Sequence, residues 1–274
     1  MSITFSSCFY VLKSKFDSDT YVSWMNNFIS IVNNFNLVIY TNKYSSQYID
    51  TKNNPRIRVI IKSIKQFYNY KYKKYWIHNH TNNHLMNGNI NHNTEWKLNM
   101  LWSEKIWFVN ETIHNQYYDT DFYGWCDIGY FRNRNDSPPY NDLHTSYLEK
   151  WPNNETIAQF NKDKIYYACI NTSYINYLHK LVNDKLNNEV PKTPIPPNQN
   201  SIAGGFFILH KSKIDWWKNT YDSKLTMYFK NNYLVKDDQI ILIDCILSEL
   251  NHFKLCVEKS QLYDNWFLFQ RLLK

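Results

Sequence analysis

Glycine is nearly missing from this chain, with five among 274 residues. Where so few are used, each marks a backbone that turns sharply or is approached closely. Gly88 falls in an Asn/His-rich tract. The other four occupy two places, Gly124 and Gly129 around Trp-Cys-Asp, and the adjacent pair Gly204-Gly205. No GxSxG, GxxxxGK[ST] or GxGxxG occurs, which removes the nucleophile elbow, the P-loop and the dinucleotide fingerprint. No stretch approaches ~18 consecutive apolar residues, so no membrane span is expected. The opening MSITFSSCFYVLKSKF has no basic leader, long apolar block or small-residue cleavage site. Five scattered cysteines (Cys8, Cys126, Cys169, Cys245, Cys256) form neither a disulfide framework nor a CxxC metal pattern. Such a set suits a reducing compartment, and a cytoplasmic protein is the expectation.

What is present supports a full core. Apolar residues make up 43% and charged residues 20%, which excludes wholesale disorder. Roughly one residue in seven is Asn and 23 are Tyr, far above ordinary usage. Asn, Lys, Ile and Tyr share AT-rich codons, a bias that fits a large DNA virus or an AT-rich microbe. The net charge of +7 is spread along the chain and forms no stripe, so a nucleic-acid partner is not expected.

Strand and helix signals alternate. ITFSSCFYVL (3–12) reads as a strand, and Asp19 to Asn34 as a helix with Val22, Met25, Phe28, Ile29 and Val32 on one face. LVIY (37–40) and RIRVII (56–61) are short continuous apolar runs, as expected of a parallel sheet covered on both faces. Residues 64–93 show no usable period and read as a loop or insertion. Their His78, His80, His84 and His92 lack carboxylate or thiolate company and read as solvated rather than as metal ligands. Thr94 is the expected cap of a helix that places Leu98, Trp102, Ile106, Val109 and Ile113 on one face. FYGWCDIG (122–129), KIYYACI (164–170), SIAGGFFILH (201–210) and FKLCVE (253–258) read as strands, and 211–230 and 237–250 as helices. The Pro- and Asn-rich stretch 183–200 reads as a loop. The whole, 1–274, is expected to be one α/β domain.

Three places can carry chemistry. Asp127 ends a buried strand between two glycines, a natural seat for a divalent cation, or else for an Asp that accepts backbone amides in a turn. Ala203-Gly204-Gly205-Phe206-Phe207 lets a ligand lie against the chain, with Phe206 and Phe207 as a stacking face, or else marks a bulge. Lys236-Asp237-Asp238-Gln239 opens an apolar helix, where one carboxylate caps and the other points into a cleft as base or clamp.

Taken together, the series EWKLNMLWSEKIWFVNETI, FYGWCDIGYFRN, IAGGFFILHK and KDDQI resembles the HtrL/YibB (WlaTC-type) glycosyltransferase family, related to nucleotide-sugar enzymes of the GT-A fold. The resemblance covers most of the chain apart from 64–93 and the Pro-rich loop. It implies a single GT-A-like domain with a central, mostly parallel sheet and helices on both faces. It implies that Asp127 stands at the metal-binding DxD element and holds Mn²⁺ or Mg²⁺, although Gly129 replaces the second carboxylate. Gly204, Gly205 and Phe206 fall under the donor sugar, and Asp237 and Asp238 at the acidic pair that contacts sugar hydroxyls or acts as base. Phe9, Tyr10, Tyr40, Thr41 and Asn42 fall where the nucleotide is held. Lys105, Trp125 and Gln239 fall beside the donor, though a surface Lys would serve equally at position 105.

The implied reaction is transfer of a sugar from a nucleotide donor to a glycan or protein acceptor. UDP-N-acetylglucosamine is a first guess for the donor. Charge on the leaving diphosphate would be met by the cation with Arg132 or Arg134, and the acceptor hydroxyl by Asp237 or Asp238. A metal-dependent nucleotidyltransferase and a non-catalytic glycan-binding member of the fold are the alternatives, and a homodimer is compatible with either.

Overall fold

Side chains along the inner strands alternate between two cores, one on each face of the sheet. In β4 (Phe122–Cys126), Tyr123 and Trp125 enter one core and Phe122 and Cys126 the other. In β6 (Phe206–His210), Phe207 and Leu209 join the first core and Phe206 and Ile208 the second. β2 (Asn36–Thr41) divides likewise, Val38 and Tyr40 against Leu37 and Ile39. Strands buried on both faces must be apolar throughout, which is why these segments are continuous runs rather than alternating ones. With β1 (Thr4–Phe9), β3 (Ile57–Ile61), β5 (Ile165–Cys169) and β7 (Phe253–Val257) they form one sheet ordered β3-β2-β1-β4-β6-β5-β7. β6 runs antiparallel to β4 and β5, and the other pairs are parallel. The expected class, α/β with a mostly parallel central sheet, is what the chain adopts. The computed structural model describes residues 3–87, 94–132, 148, 150–187, 195–260 and 263–274.

Helices α1 (Ser18–Ser30), α2 (Lys73–Asn82), α3 (His84–Asn87), α4 (Trp96–Ser103), α5 (Lys105–His114), α6 (Asn154–Ala158), α7 (Thr172–Asn187), α8 (Ile214–Lys230), α9 (Asp238–Ser248) and α10 (Leu268–Leu272) complete the described elements. Asp17 starts α1 by accepting the Thr20 amide at 2.7 Å, and Met25, Phe28 and Ile29 then face the sheet. On the opposite face α4, α5, α8 and α9 bury Leu98, Ile106, Trp217 and Ile243. Each such side chain contributes about 1.5–3 kcal/mol by leaving water. Among the described residues no helix is long and apolar enough to cross a membrane, and all five cysteines are free thiols.

The segment 64–93 departs from the expected loop. Two 3₁₀ turns (Ile64–Gln66 and Tyr68–Tyr72) lead into α2 and α3. Trp76 is fully buried and donates from Nε1 to the Asn69 carbonyl at 3.2 Å, so one anchoring indole orders a stretch whose composition has no period. His92 and Gly88 lie outside the described residues. The helix expected from Thr94 is broken into α4 and α5 at Glu104. The buried Glu104 carboxylate turns away to accept from the Tyr68 amide (2.7 Å) and from the Asn69 amide and side chain (3.0 and 2.8 Å). Thr94 does not cap: its hydroxyl donates to the Met86 carbonyl at 3.1 Å, and Glu95 precedes the first turn without a side-chain cap. α7 runs into the stretch expected as a loop from 183, and β6 begins only at Phe206, so the twin glycines precede the strand rather than sit within it.

Gly124 is the one place inside the sheet that requires its residue type. A Cβ there would stand 2.3 Å from the Phe207 carbonyl oxygen of the neighbouring strand.

Candidate active site

β1 leaves β4 on one side and β2 on the other, so the chain's direction of travel across the sheet reverses at the β1–β4 pair. Ligands in open α/β sheets bind beyond the carboxyl ends of strands at such a point. A cleft of about 280 Å³ opens there, with a smaller recess of about 110 Å³ running toward Cys8, Phe9 and Tyr10 at the end of β1.

Its floor is assembled by continuing the β4–β6 ladder. Cys126 pairs with Phe206, and one step further the Asp127 amide donates to the Gly205 carbonyl at 2.8 Å. A Cβ on Gly205 would come within 3.0 Å of Asp127 Oδ2, and one on Gly204 within 3.0 Å of Asp238 Oδ2 and Gln239 Cγ. The pair is therefore glycine because two carboxylates lie directly against the backbone. Gln239 donates from Nε2 to the Ile202 carbonyl, fastening the first turn of α9 to the same segment.

Lys105, the first residue of α5, projects between the carboxylates. Its Nζ lies 2.9 Å from the Gly204 carbonyl, 3.0 Å from Asp238 Oδ2 and 3.2 Å from Asp127 Oδ1. The carbonyl accepts a hydrogen bond from this ammonium, and the two carboxylates are ion-paired with it. Burial alone would lower this ammonium's pKa, but Asp127 and Asp238 reverse that and hold it well above the ordinary lysine value. For Asp238 burial dominates and pushes the carboxyl up to about 6; Lys105 restrains the rise, and Asp237 and Asp127 add to it. Trp125 Nε1 donates to Asp127 Oδ1 at 2.6 Å, fixing the rotamer of the one carboxylate whose side chain is substantially open, 43% exposed. Asp237, the residue preceding α9, is 6% exposed and makes no side-chain cap. Its Oδ2 pairs with Lys236 Nζ at 3.1 Å, while its buried Oδ1, at the cleft wall, has no hydrogen-bond partner.

Asparagines that looked like codon bias brace this acidic corner. Asn79 of α2 exchanges two hydrogen bonds of 2.8 Å with the Val235 backbone. Asn99 of α4 donates to the Val235 and Lys236 carbonyls (2.8 and 3.1 Å), and Asn83 to the Lys236 carbonyl at 3.0 Å. The segment delivering Asp237 and Asp238 is thus pinned from α2 and α4, which gives the 64–87 stretch a role at the site.

The same cleft is also basic and aromatic. Lys15 and Arg132 line it beside Phe16, Tyr21, Trp102 and Phe267. The Arg132 guanidinium lies over the Trp24 ring at 4.9 Å and the Phe267 ring at 5.3 Å. Cys8 in the recess is no nucleophile: burial, then the Asp127 charge, pushes its thiol well above the ordinary range, so it stays protonated.

Of the sequence-derived candidates, Lys105, Asp127, Gly204, Gly205, Asp237, Asp238 and Gln239 converge on the main cleft, and Phe9, Tyr10 and Trp125 line the recess. Lys105 is 7% exposed, so it is not the surface lysine that its helix position also allowed. Five candidates lie elsewhere. Tyr40 is fully buried with its hydroxyl 2.9 Å from that of Thr112. Thr41 donates to the Phe9 carbonyl at 2.6 Å, and Asn42 Oδ1 accepts the Ser45 amide at 2.7 Å, so both shape a turn. Phe206 stacks on Phe269 with centroids 4.5 Å apart and Phe207 enters the other core, so neither offers a face to a sugar. Arg134 lies outside the described residues. Lys15, Phe16, Tyr21 and Phe267 escaped the sequence reading because no motif surrounds them; Trp102 was visible only as part of an apolar face.

Asp127 and Asp238 are not arranged to share Mn²⁺ or Mg²⁺. Asp127 Oδ1 is engaged by an indole N–H and an ammonium, and a positive charge already stands between Asp127 and Asp238. Among the described residues no three His, Cys, Asp or Glu side chains gather to hold a metal.

No protein-family model matches the chain, and no curated protein matches it. Among solved structures it is similar to mouse xyloside xylosyltransferase 1 in its apo form, with 11% identity, a TM-score of 0.45, and coverage of 93% of this chain and 85% of that one. A likeness that distant carries no weight for function, and the HtrL/YibB resemblance rests on the motif series alone.

Proposed function

We propose that this chain is a glycosyltransferase that takes a sugar from a nucleotide-sugar donor, with a UDP-sugar the first choice, and passes it to a glycan or protein acceptor. The observation that carries the reading is one cleft lined by both carboxylates and cations. Asp127 and Asp238 lie against Gly204-Gly205, and Asp237, Lys15 and Arg132 line the same cleft. A ligand that carries both hydroxyls and a diphosphate matches that lining. The Phe9–Tyr10 recess, at the end of β1 and lined by aromatic and apolar side chains beside Lys105, Asp127 and Arg132, suits the nucleotide's base.

Breaking the anomeric bond places negative charge on the leaving diphosphate, which Arg132 and Lys15 are placed to stabilise. Arg132 is suited to this because a planar guanidinium engages two phosphate oxygens at once. Asp238, with a carboxyl near 6, is ionised at neutral pH and still basic enough to accept a hydroxyl proton. Asp237 Oδ1, buried and lacking a partner, gains a hydrogen bond when a sugar hydroxyl enters, which favours occupancy over the empty cleft.

The test is to incubate purified protein with a panel of UDP-sugars and nucleoside triphosphates and separate the products. Release of UDP that disappears in Asp238→Asn supports the reading. Release of pyrophosphate instead assigns nucleotidyl transfer. Binding of glycans with no turnover of any donor assigns a non-catalytic member.

A further inference from the structure

Lys105 raises a question that the proposed function leaves open, namely what neutralises the diphosphate. A divalent cation that used Asp127 and Asp238 together would have to occupy the space between them, and the Lys105 ammonium lies there, its side chain 8% exposed. Removing it would strip two carboxylates of their partner and leave the Gly204 carbonyl without its donor. A cation placed beside it would face a positive charge that the same carboxylates keep protonated. A lysine hydrogen-bonded to the Gly204 carbonyl and ion-paired with two carboxylates is committed to the floor rather than to a phosphate.

We infer that Lys105 stands in for the divalent cation between Asp127 and Asp238, so that a diphosphate ligand binds this chain without metal, its phosphates met by Arg132 and Lys15. This rests on the reading of the cleft as a nucleotide-sugar site. Lys105 is then a positioning residue: it fixes Asp127 and Asp238 by ion pairing and restrains the rise of the Asp238 carboxyl. Two other groups lining the cleft take the phosphates. Arg132 is held over Trp24 and Phe267, so its plane is set before a ligand arrives. Lys15 follows β1 and lines the same cleft.

The experiment titrates UDP calorimetrically into the full chain, once in EDTA and once in MnCl₂, and separately follows free Mn²⁺ by electron paramagnetic resonance as protein is added. UDP is expected to bind with the same affinity in both solutions, within about threefold. Mn²⁺ is expected to stay free, and Arg132→Gln is expected to weaken UDP roughly tenfold in either solution. In Lys105→Met, the pH of half-maximal UDP release rises above the wild-type value near 6, which loss of packing alone would not produce. UDP binding that requires MnCl₂, or Mn²⁺ binding that Asp127→Asn removes, overturns the inference and leaves glycosyl transfer standing. UDP and UDP-sugars that bind in neither solution overturn both. The wild-type titrations decide the matter even where Lys105→Met fails to fold.

Discussion

Replacing Lys105 by Met keeps the length of the side chain and deletes its charge, leaving Asp127 and Asp238 facing each other without a cation. The two do not contribute equally. Asp127 is 43% exposed, so water screens much of its loss. Asp238 is 5% exposed, and its carboxyl near 6, against an ordinary 3.8, means that the charged form already costs about 3 kcal/mol with the lysine present. Removing one partner of a buried pair costs about 3–5 kcal/mol unless the survivor takes up a proton. Asp238 can do so. A carboxyl raised on folding contributes stability that is present below its unfolded pKa and lost as pH rises through its folded pKa. In Lys105→Met that folded pKa moves above 6, so the additional loss accrues between pH 6 and the new value. Urea denaturation is expected to show a deficit of about 3–5 kcal/mol near pH 8, shrinking to about 1 kcal/mol near pH 5, with an unchanged m value. A deficit equal at both pH values, or below about 1 kcal/mol at pH 8, would refute the buried-pair account.

Trp125→Phe keeps a ring beside Phe108, now 5.9 Å away, and deletes the N–H that holds Asp127; stability is expected to fall by about 1–2 kcal/mol and kcat for UDP release by tenfold or more. Gly124→Ala forces a Cβ against the Phe207 carbonyl and is expected to cost about 3 kcal/mol or more by thermal denaturation. Gly204→Ala meets only the side chains of Asp238 and Gln239, so the fold is expected to survive while donor affinity falls in a binding titration. With Asp238 acting as base in its ionised form, the rate is expected to climb about tenfold per pH unit up to a plateau above pH 6. A limb that persists in Asp238→Asn would remove Asp238 from that role.

Much of this was legible in the sequence, for physical reasons. β2 and β4 declare themselves as continuous apolar runs because both of their faces are buried, and α1 through its spacing of three and four. The scarcity of glycine led directly to Gly204-Gly205 and to Asp127. What stayed hidden depends on contacts distant in the chain. Trp76 orders the 64–87 stretch through tertiary burial, and Asn79, Asn83 and Asn99 act on residues more than a hundred positions away. Phe206 reads as a ligand face in one dimension and becomes core once β6 is covered on both sides. Glu104 breaks its helix because two amides from Tyr68 and Asn69 await it, which no local propensity encodes.

The reversed direction of β6 has a mechanical outcome. Because the strand enters beside β4 head to tail, the acidic and glycine halves of the floor are riveted by the sheet's own amide bonds, 78 positions apart in the chain yet one rung apart in space. Neither half can swing without tearing that rung. If the cleft takes a sugar as proposed, room for a bulky acceptor is expected away from this rung, where Phe16 stands 46% exposed, rather than on the fixed floor.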